Sequence, residues 1–280
     1  MMPEPAKLAR FFQPTAQAVG KRKIRNPSPR TRATYLRNSM KNTHRQEIWG
    51  ILGGMGPLAS AEFVHTIYQE TVRGTDQNSP AVILLSDSSI PDRTEYLLTG
   101  REDELLEFFS NSIGQLVSMG ATRIVIACFT IHLLIPRLPE SWQEKIISLV
   151  DLAIESVLQS KRRHLLLCST GTKKMGLFQS HPLWQKAQNQ IVVPDDHDQA
   201  LIHKMIYEIK NNEQDAHYIE FTESLLAKYG VDSYLAGCSE IHILAKQHER
   251  LRGRARHEFC IDPLSRIVSF MSPVAAGAVS

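Results

Sequence analysis

From Ile48 onward the chain alternates short runs of apolar residues with longer stretches whose apolar positions recur at helical spacing. The runs Ile48–Leu52, Ala81–Leu85, Arg123–Ala127, His164–Leu167, Ile191–Val193, Tyr234–Ala236 and Phe259–Ile261 predict strands. Helices are predicted from Pro57 to about Thr71, near Glu102–Met119, over Glu144–Gln159, and near Gln199–Ile209 and His217–Tyr229. Strands that are apolar throughout, rather than on alternate residues, are buried on both faces. Strands separated by helices must run parallel. The fold class is therefore α/β.

Residues 1–46 break this pattern. They carry five prolines and no sustained apolar period, so they are read as a basic, disordered N-terminal extension, with Met40 as an alternative start. Composition sharpens the boundary. Residues 1–45 hold 11 Lys/Arg against Glu4 alone, a net of +10, while the other 235 residues hold 21 bases and 28 acids, a net of −7. An acidic body has no electrostatic reason to grip nucleic acid. The longest apolar run, Ile124–Ile135, is too short for a bilayer and is interrupted by Thr130 and His132, so no membrane span is expected. Four cysteines without a C-x-x-C pair predict free thiols in a reducing, cytoplasmic setting.

The chemistry is carried by an internal repeat. Ala121–His132 (ATRIVIACFTIH) and Val231–His242 (VDSYLAGCSEIH) each end a strand with a small residue, Cys, two residues, Ile and His, 110 positions apart. The loops before them also pair, Gly50–Gly56 in one half and Ser169–Thr172 in the other. Such a repeat predicts two similar α/β halves, with ligands held beyond the carboxyl ends of their strands. A lone cysteine at a strand end is ordinarily a small buried hydrophobe. Two in matching contexts, flanked by Thr130, Ser239 and Glu240, are candidate reagents, whereas Cys168 and Cys260 lack that context and are read as structural. The C-x-x-x-H spacing could place each cysteine and histidine on one helical face. No compact third or fourth ligand accompanies them, so no metal is expected.

Six short motifs then resemble the aspartate/glutamate racemase family, its aspartate-racemase branch in particular. They are GILGGMGP at Gly50–Pro57, SSIPDRT at Ser88–Thr94, C-x-T-x-H at Cys128–His132, STGT at Ser169–Thr172, GCSE at Gly237–Glu240 and IDP at Ile261–Pro263. The resemblance spans roughly residues 47–271. It implies two pseudo-symmetric domains, each a mainly parallel sheet flanked by helices, with an active site in the cleft between them. Domain 1 would be 47–137 with a returning 262–280, and domain 2 would be 138–261. It further implies racemisation of an acidic amino acid, L- and D-aspartate, without pyridoxal phosphate, metal or other cofactor, by a homodimeric enzyme. Cys128 and Cys238 would be the two acid/base groups, Cys238 taking the proton of the L-enantiomer and Cys128 that of the D-enantiomer. Arg93 would bind the distal carboxylate and Lys210 would supply a second cation. Met55, Phe129, Thr130, Thr170, Thr172 and Ser239 would line the substrate. Phe129 departs from the family's usual asparagine, and Ser239 from its usual threonine. The departure at Phe129 leaves open a racemase of glutamate or another acidic amino acid, or a catalytically silent amino-acid-binding homologue.

Overall fold

The computed structural model describes residues 47–72, 76–213 and 217–271; the expectations for residues 1–46 lie outside these. The first sheet joins β1 (Ile48–Gly53), β2 (Ala81–Ser86), β3 (Arg123–Ile126) and β4 (Ile146–Ile147) in the order β2-β1-β3-β4. The second joins β5 (His164–Leu167), β6 (Ile191–Val192), β7 (Tyr234–Ala236) and β8 (Cys260–Ile261) in the order β6-β5-β7-β8. Every pairing is parallel. Strand by strand, the second order is the first with four added to each number, so the sequence repeat is also a repeat of topology.

The strands divide three cores by their two-residue period. Trp49, Ile51 and Val125 of the first sheet, with Leu166 and Leu235 of the second, face a central core. Between the sheets lie α4 (Leu149–Ser160) and α9 (Pro263–Met271), which supply Leu152, Ala153, Ile154, Leu264 and Ile267. The opposite face of the first sheet, with Leu52, Ile124 and Ile126, packs on Leu105, Phe109, Ile113 and Leu116 of α3 (Glu102–Ser118). The opposite face of the second sheet packs on α6 (Asp196–Lys210), α7 (His217–Lys228) and α8 (Glu240–Arg252). The remaining helices that matter to the site are α1 (Pro57–Thr71), α2 (Arg93–Leu98) and α5 (Thr170–Lys174).

One predicted helix is different. The helix expected over 144–159 is a strand followed by a helix: Ile146 and Ile147 pair with Ile124 and Val125 as β4, and α4 starts only at Leu149. Ser148 sets that start, its hydroxyl accepting from the Asp151 N–H at 3.1 Å. Two β-branched residues ahead of a capping serine favour an edge strand over a first helical turn. At the far end, Phe259 closes a helical turn and the strand is Cys260–Ile261 alone.

Candidate active site

Cys128 and Cys238 occupy equivalent places, each two residues beyond the end of its strand, β3 or β7. Ala127 donates its N–H to the Leu52 carbonyl and Gly237 donates to that of Leu167, so both chains leave their sheets the same way. The loops that face these exits come from β1 and β5. The β1 loop approaches its surroundings very closely. Gly54 has φ +87°, and a Cβ there would lie 2.3 Å from the Asp87 backbone, so both its conformation and its space require glycine. Gly56 has an extended φ of −154°, but a Cβ on it would lie 2.0 Å from Glu240 Oε1. The first half's glycine loop is thus pressed against the carboxylate that follows Cys238.

The cationic side of the site is built by α2 and α6. Arg93, only 7% exposed, is the first residue of α2. Its Nη1 donates to the carbonyls of Ile90 (3.2 Å) and Pro91 (2.8 Å), and its Nη2 to the carbonyl of Met55. Burial works against its charge, yet Cys128, Asp92 and Glu240 around it hold its pKa above the ordinary value. Lys210 closes α6, with its Nζ 4.4 Å from the centre of the Tyr207 ring. It is likewise opposed by burial and held up by Glu240 and Cys238, with Arg93 near enough to act in the other direction. Arg93 and Lys210, from opposite halves, therefore share one electrostatic neighbourhood with both cysteines.

Cys238 is 7% exposed and donates its Sγ–H to Glu240 Oε2 at 2.8 Å. Burial, the Glu240 charge and, more weakly, Cys128 push its pKa well above that of an ordinary thiol, with Lys210 opposing them. At neutral pH it rests as a thiol. Cys168 is fully enclosed and Cys260 is 4% exposed, and burial pushes Cys168 up to about 12 and Cys260 well above its ordinary value.

The other expected residues fall into different surroundings. Thr130, Ser169 and Thr172 form a hydroxyl triangle across the halves, with Thr130–Thr172 at 2.9 Å and Thr130–Ser169 at 3.2 Å. Their polar atoms are largely spent on each other. Thr170 is half-buried, and its N–H donates to His203 Nδ1 at 3.2 Å. Ser239 is buried at the start of α8 and donates to Glu240 Oε2 at 3.2 Å. Met55 enters the site through the carbonyl that holds Arg93. Phe129, expected beside the substrate, has its ring in the central core, where its centroid lies 6.1 Å from those of His132 and Phe178.

The two motif histidines are positioning groups. His132 receives the Leu149 N–H at Nε2 (3.1 Å), so its Nδ1–H donates to the Cys128 carbonyl (2.7 Å), and burial lowers its pKa to about 4. His242 donates from Nδ1 to Asp262 (2.6 Å), and its Nε2 lies 2.9 Å from the Thr66 hydroxyl on α1. No group of three or more His, Cys, Asp or Glu suited to a metal occurs among the described residues.

Three participants escaped the sequence reading as site residues. Asp92 caps α2 through the Glu95 N–H and accepts the Tyr207 hydroxyl at 2.7 Å across the halves. Tyr207 could have been found from its place three residues before Lys210, one helical turn away. Glu240 was visible in the GCSE motif. Nothing in the sequence foretold that it would meet Gly56 of the other half.

A family model described as Asp/Glu/hydantoin racemase matches residues 52–269. Among solved structures, the chain is similar to aspartate racemase from Picrophilus torridus, with 24% identity, 79% of this chain and 92% of that one covered, and a TM-score of 0.66. It is similar to an aspartate racemase homologue from Pyrococcus horikoshii OT3 (19% identity, 81% and 97% covered, TM-score 0.54). A third similar structure is glutamate racemase from Francisella tularensis in complex with D-glutamate (15% identity, 80% and 78% covered, TM-score 0.52). At these identities the likeness is one of fold.

Proposed function

The chain belongs to the Asp/Glu/hydantoin racemase family, and from that premise we propose that it interconverts L- and D-aspartate through the thiols of Cys128 and Cys238. One observation carries the reading. Two cysteines at equivalent strand ends of a repeated fold share a buried cluster with two cations, Arg93 and Lys210.

The mechanism needs one proton on the pair of thiols. With Cys238 protonated and Cys128 ionised, Cys128 removes the α-proton from one face and Cys238 delivers its own to the other. The reverse form, with Cys128 protonated, acts on the opposite enantiomer. Proton transfer by positioned groups contributes ~10²–10⁴-fold. The carbanion has no pyridoxal phosphate to spread its charge in this scheme. Stabilisation must then come from cations and donors already aimed at the carboxylate as it becomes enolate-like. Arg93 is tethered by three backbone carbonyls, so its orientation is fixed before substrate arrives. An acidic side chain on the substrate matches the second cation and favours aspartate over uncharged amino acids.

Four free cysteines suit a reducing, cytoplasmic setting. Domain 1 is proposed as 47–137 with 262–280, of which 272–280 lie outside the described residues, and domain 2 as 138–261, although β4 (Ile146–Ile147) within that range hydrogen-bonds into the first sheet. A homodimer is proposed with the edge strand β2 at its interface. Leu84 on β2 is an exposed large apolar residue, as an unprotected edge strand would not ordinarily carry. Among the described residues no helix is long and apolar enough to cross a membrane.

The test is incubation with L-aspartate in D₂O, followed by chiral chromatography and mass analysis. Deuterium at the α-carbon with appearance of D-aspartate is expected, and Cys128→Ala and Cys238→Ala should each abolish racemisation with the fold intact. Near-full activity in either variant would remove the two-thiol scheme. Binding without exchange would favour a silent amino-acid-binding protein, and exchange on glutamate alone would move the substrate.

A further inference from the structure

The charges around the two thiols do not all serve a dicarboxylate. Arg93 and Lys210 are complementary to two carboxylates, but Glu240 sits among them with the opposite sign, near enough to raise the pKa of both. It is 1% exposed, and a buried acid needs partners for both of its oxygens. Oε2 has them in the Cys238 thiol and the Ser239 hydroxyl. Oε1 is buried and has none. It points across to the first half, where only the missing side chain of Gly56 leaves room for it. The Arg93 Nε–H is another buried group without a partner. The same site therefore holds an unused acceptor on an anion and an unused donor on a cation.

We propose that Glu240 receives the α-ammonium of the substrate at Oε1, making it the residue that selects amino diacids over diacids without an amine. This rests on the racemase reading and adds the third point of attachment to it. Two carboxylates and one ammonium on aspartate then meet two cations and one anion on the protein, so each charged group of the substrate faces a group of opposite sign. A diacid lacking the amine leaves Oε1 unpartnered in a closed site, which costs affinity. The location fits the chemistry as well. Glu240 begins two residues after Cys238, so an ammonium held there keeps the α-carbon beside the thiol that must exchange its proton.

The experiment compares inhibition or binding by L-aspartate and by succinate, which has both carboxylates and no amine, in the wild-type protein and in Glu240→Gln. Glutamine keeps the shape and can still accept from the Cys238 thiol, but it removes the charge. The expected result is a loss of aspartate affinity of tenfold or more, with succinate unchanged or tighter. Glu240→Asp, which retains the charge on a shorter arm, should recover part of the preference for aspartate. A purely structural role for Glu240 would weaken both ligands alike, and an unchanged aspartate-to-succinate ratio overturns the proposal. Failure of the racemase reading looks different: wild-type protein would leave the α-proton of acidic amino acids unexchanged, whatever the ratio of affinities.

Discussion

Arg93 and Glu240 are both buried charges that stay in place because their neighbours constrain them, and each has one atom free. That arrangement costs stability, and under the proposed function binding of substrate would offset it. Arg93→Ala should therefore weaken acidic substrates far more than it weakens the fold. A lost charged hydrogen bond of about 1.5–3 kcal/mol corresponds to roughly 10- to 100-fold in KM, read by steady-state kinetics beside a thermal melt. Arg93→Lys should recover little of it, because an ammonium cannot keep the three carbonyl tethers and still present a planar donor pair. A variant with unchanged KM would show that Arg93 is only a tie between loops. Phe129 gives the opposite lesson. As a residue type it read as bulk beside the substrate, but its ring stacks in the core against Phe178.

At the scale of elements, the helices and strands that leave the sheets are pinned by buried polar side chains. His132 ties the turn after Cys128 to the start of α4, and it can do so only while uncharged. Burial holds its pKa near 4 in the fold, against about 6.5 in an unfolded chain. The unfolded state therefore binds the extra proton first. The contribution is complete above pH 6.5 and is lost as the pH falls towards 4, a total of roughly 3 kcal/mol for a shift of this size. Denaturant unfolding across that range should show stability falling with pH, and His132→Asn should flatten the slope. An unaltered slope would mean that His132 is charged or solvated in the folded state. Asp262 works with the opposite chemistry. Burial penalises its charge, but His242, Ser265 and Arg256 more than offset this and hold its carboxyl well below the usual carboxylate range. It thus anchors the start of α9 against α8.

Across the whole molecule, the two halves are fastened at the site itself. Tyr207 reaches Asp92, Thr130 reaches Ser169 and Thr172, and Gly171 packs so closely on Thr94 that a Cβ would lie 2.5 Å from its hydroxyl oxygen. Both candidate thiols are left almost covered, at 6% and 7% exposure. Under the proposed function, entry of substrate would require the halves to part, and the Tyr207–Asp92 bond is a fastening that a single substitution removes. Tyr207→Phe should speed alkylation of Cys128 and Cys238 about tenfold, the value of one hydrogen bond to a charged acceptor, while Cys168 and Cys260 stay protected. Mass spectrometry of the labelled peptides reads the result. Equal rates in wild type and variant would place the barrier to entry elsewhere.

What the sequence determined by itself was the part that depends on local periodicity and on repetition. Apolar strands between helices implied parallel sheets, and the duplicated Cys-x-x-Ile-His segments implied two similar halves, because both are properties of neighbouring residues. Even there, Ile146–Ile147 deceived the pattern, since a two-residue strand is too short to show a period. The tertiary structure alone decided which charges share a space. Gly56 and Glu240 are 184 residues apart in the chain, and Arg93 and Lys210 belong to different sheets' helices. Their meeting depends on how the halves pack, and electrostatic strength depends on distance and on exclusion of water, neither of which is written along a chain.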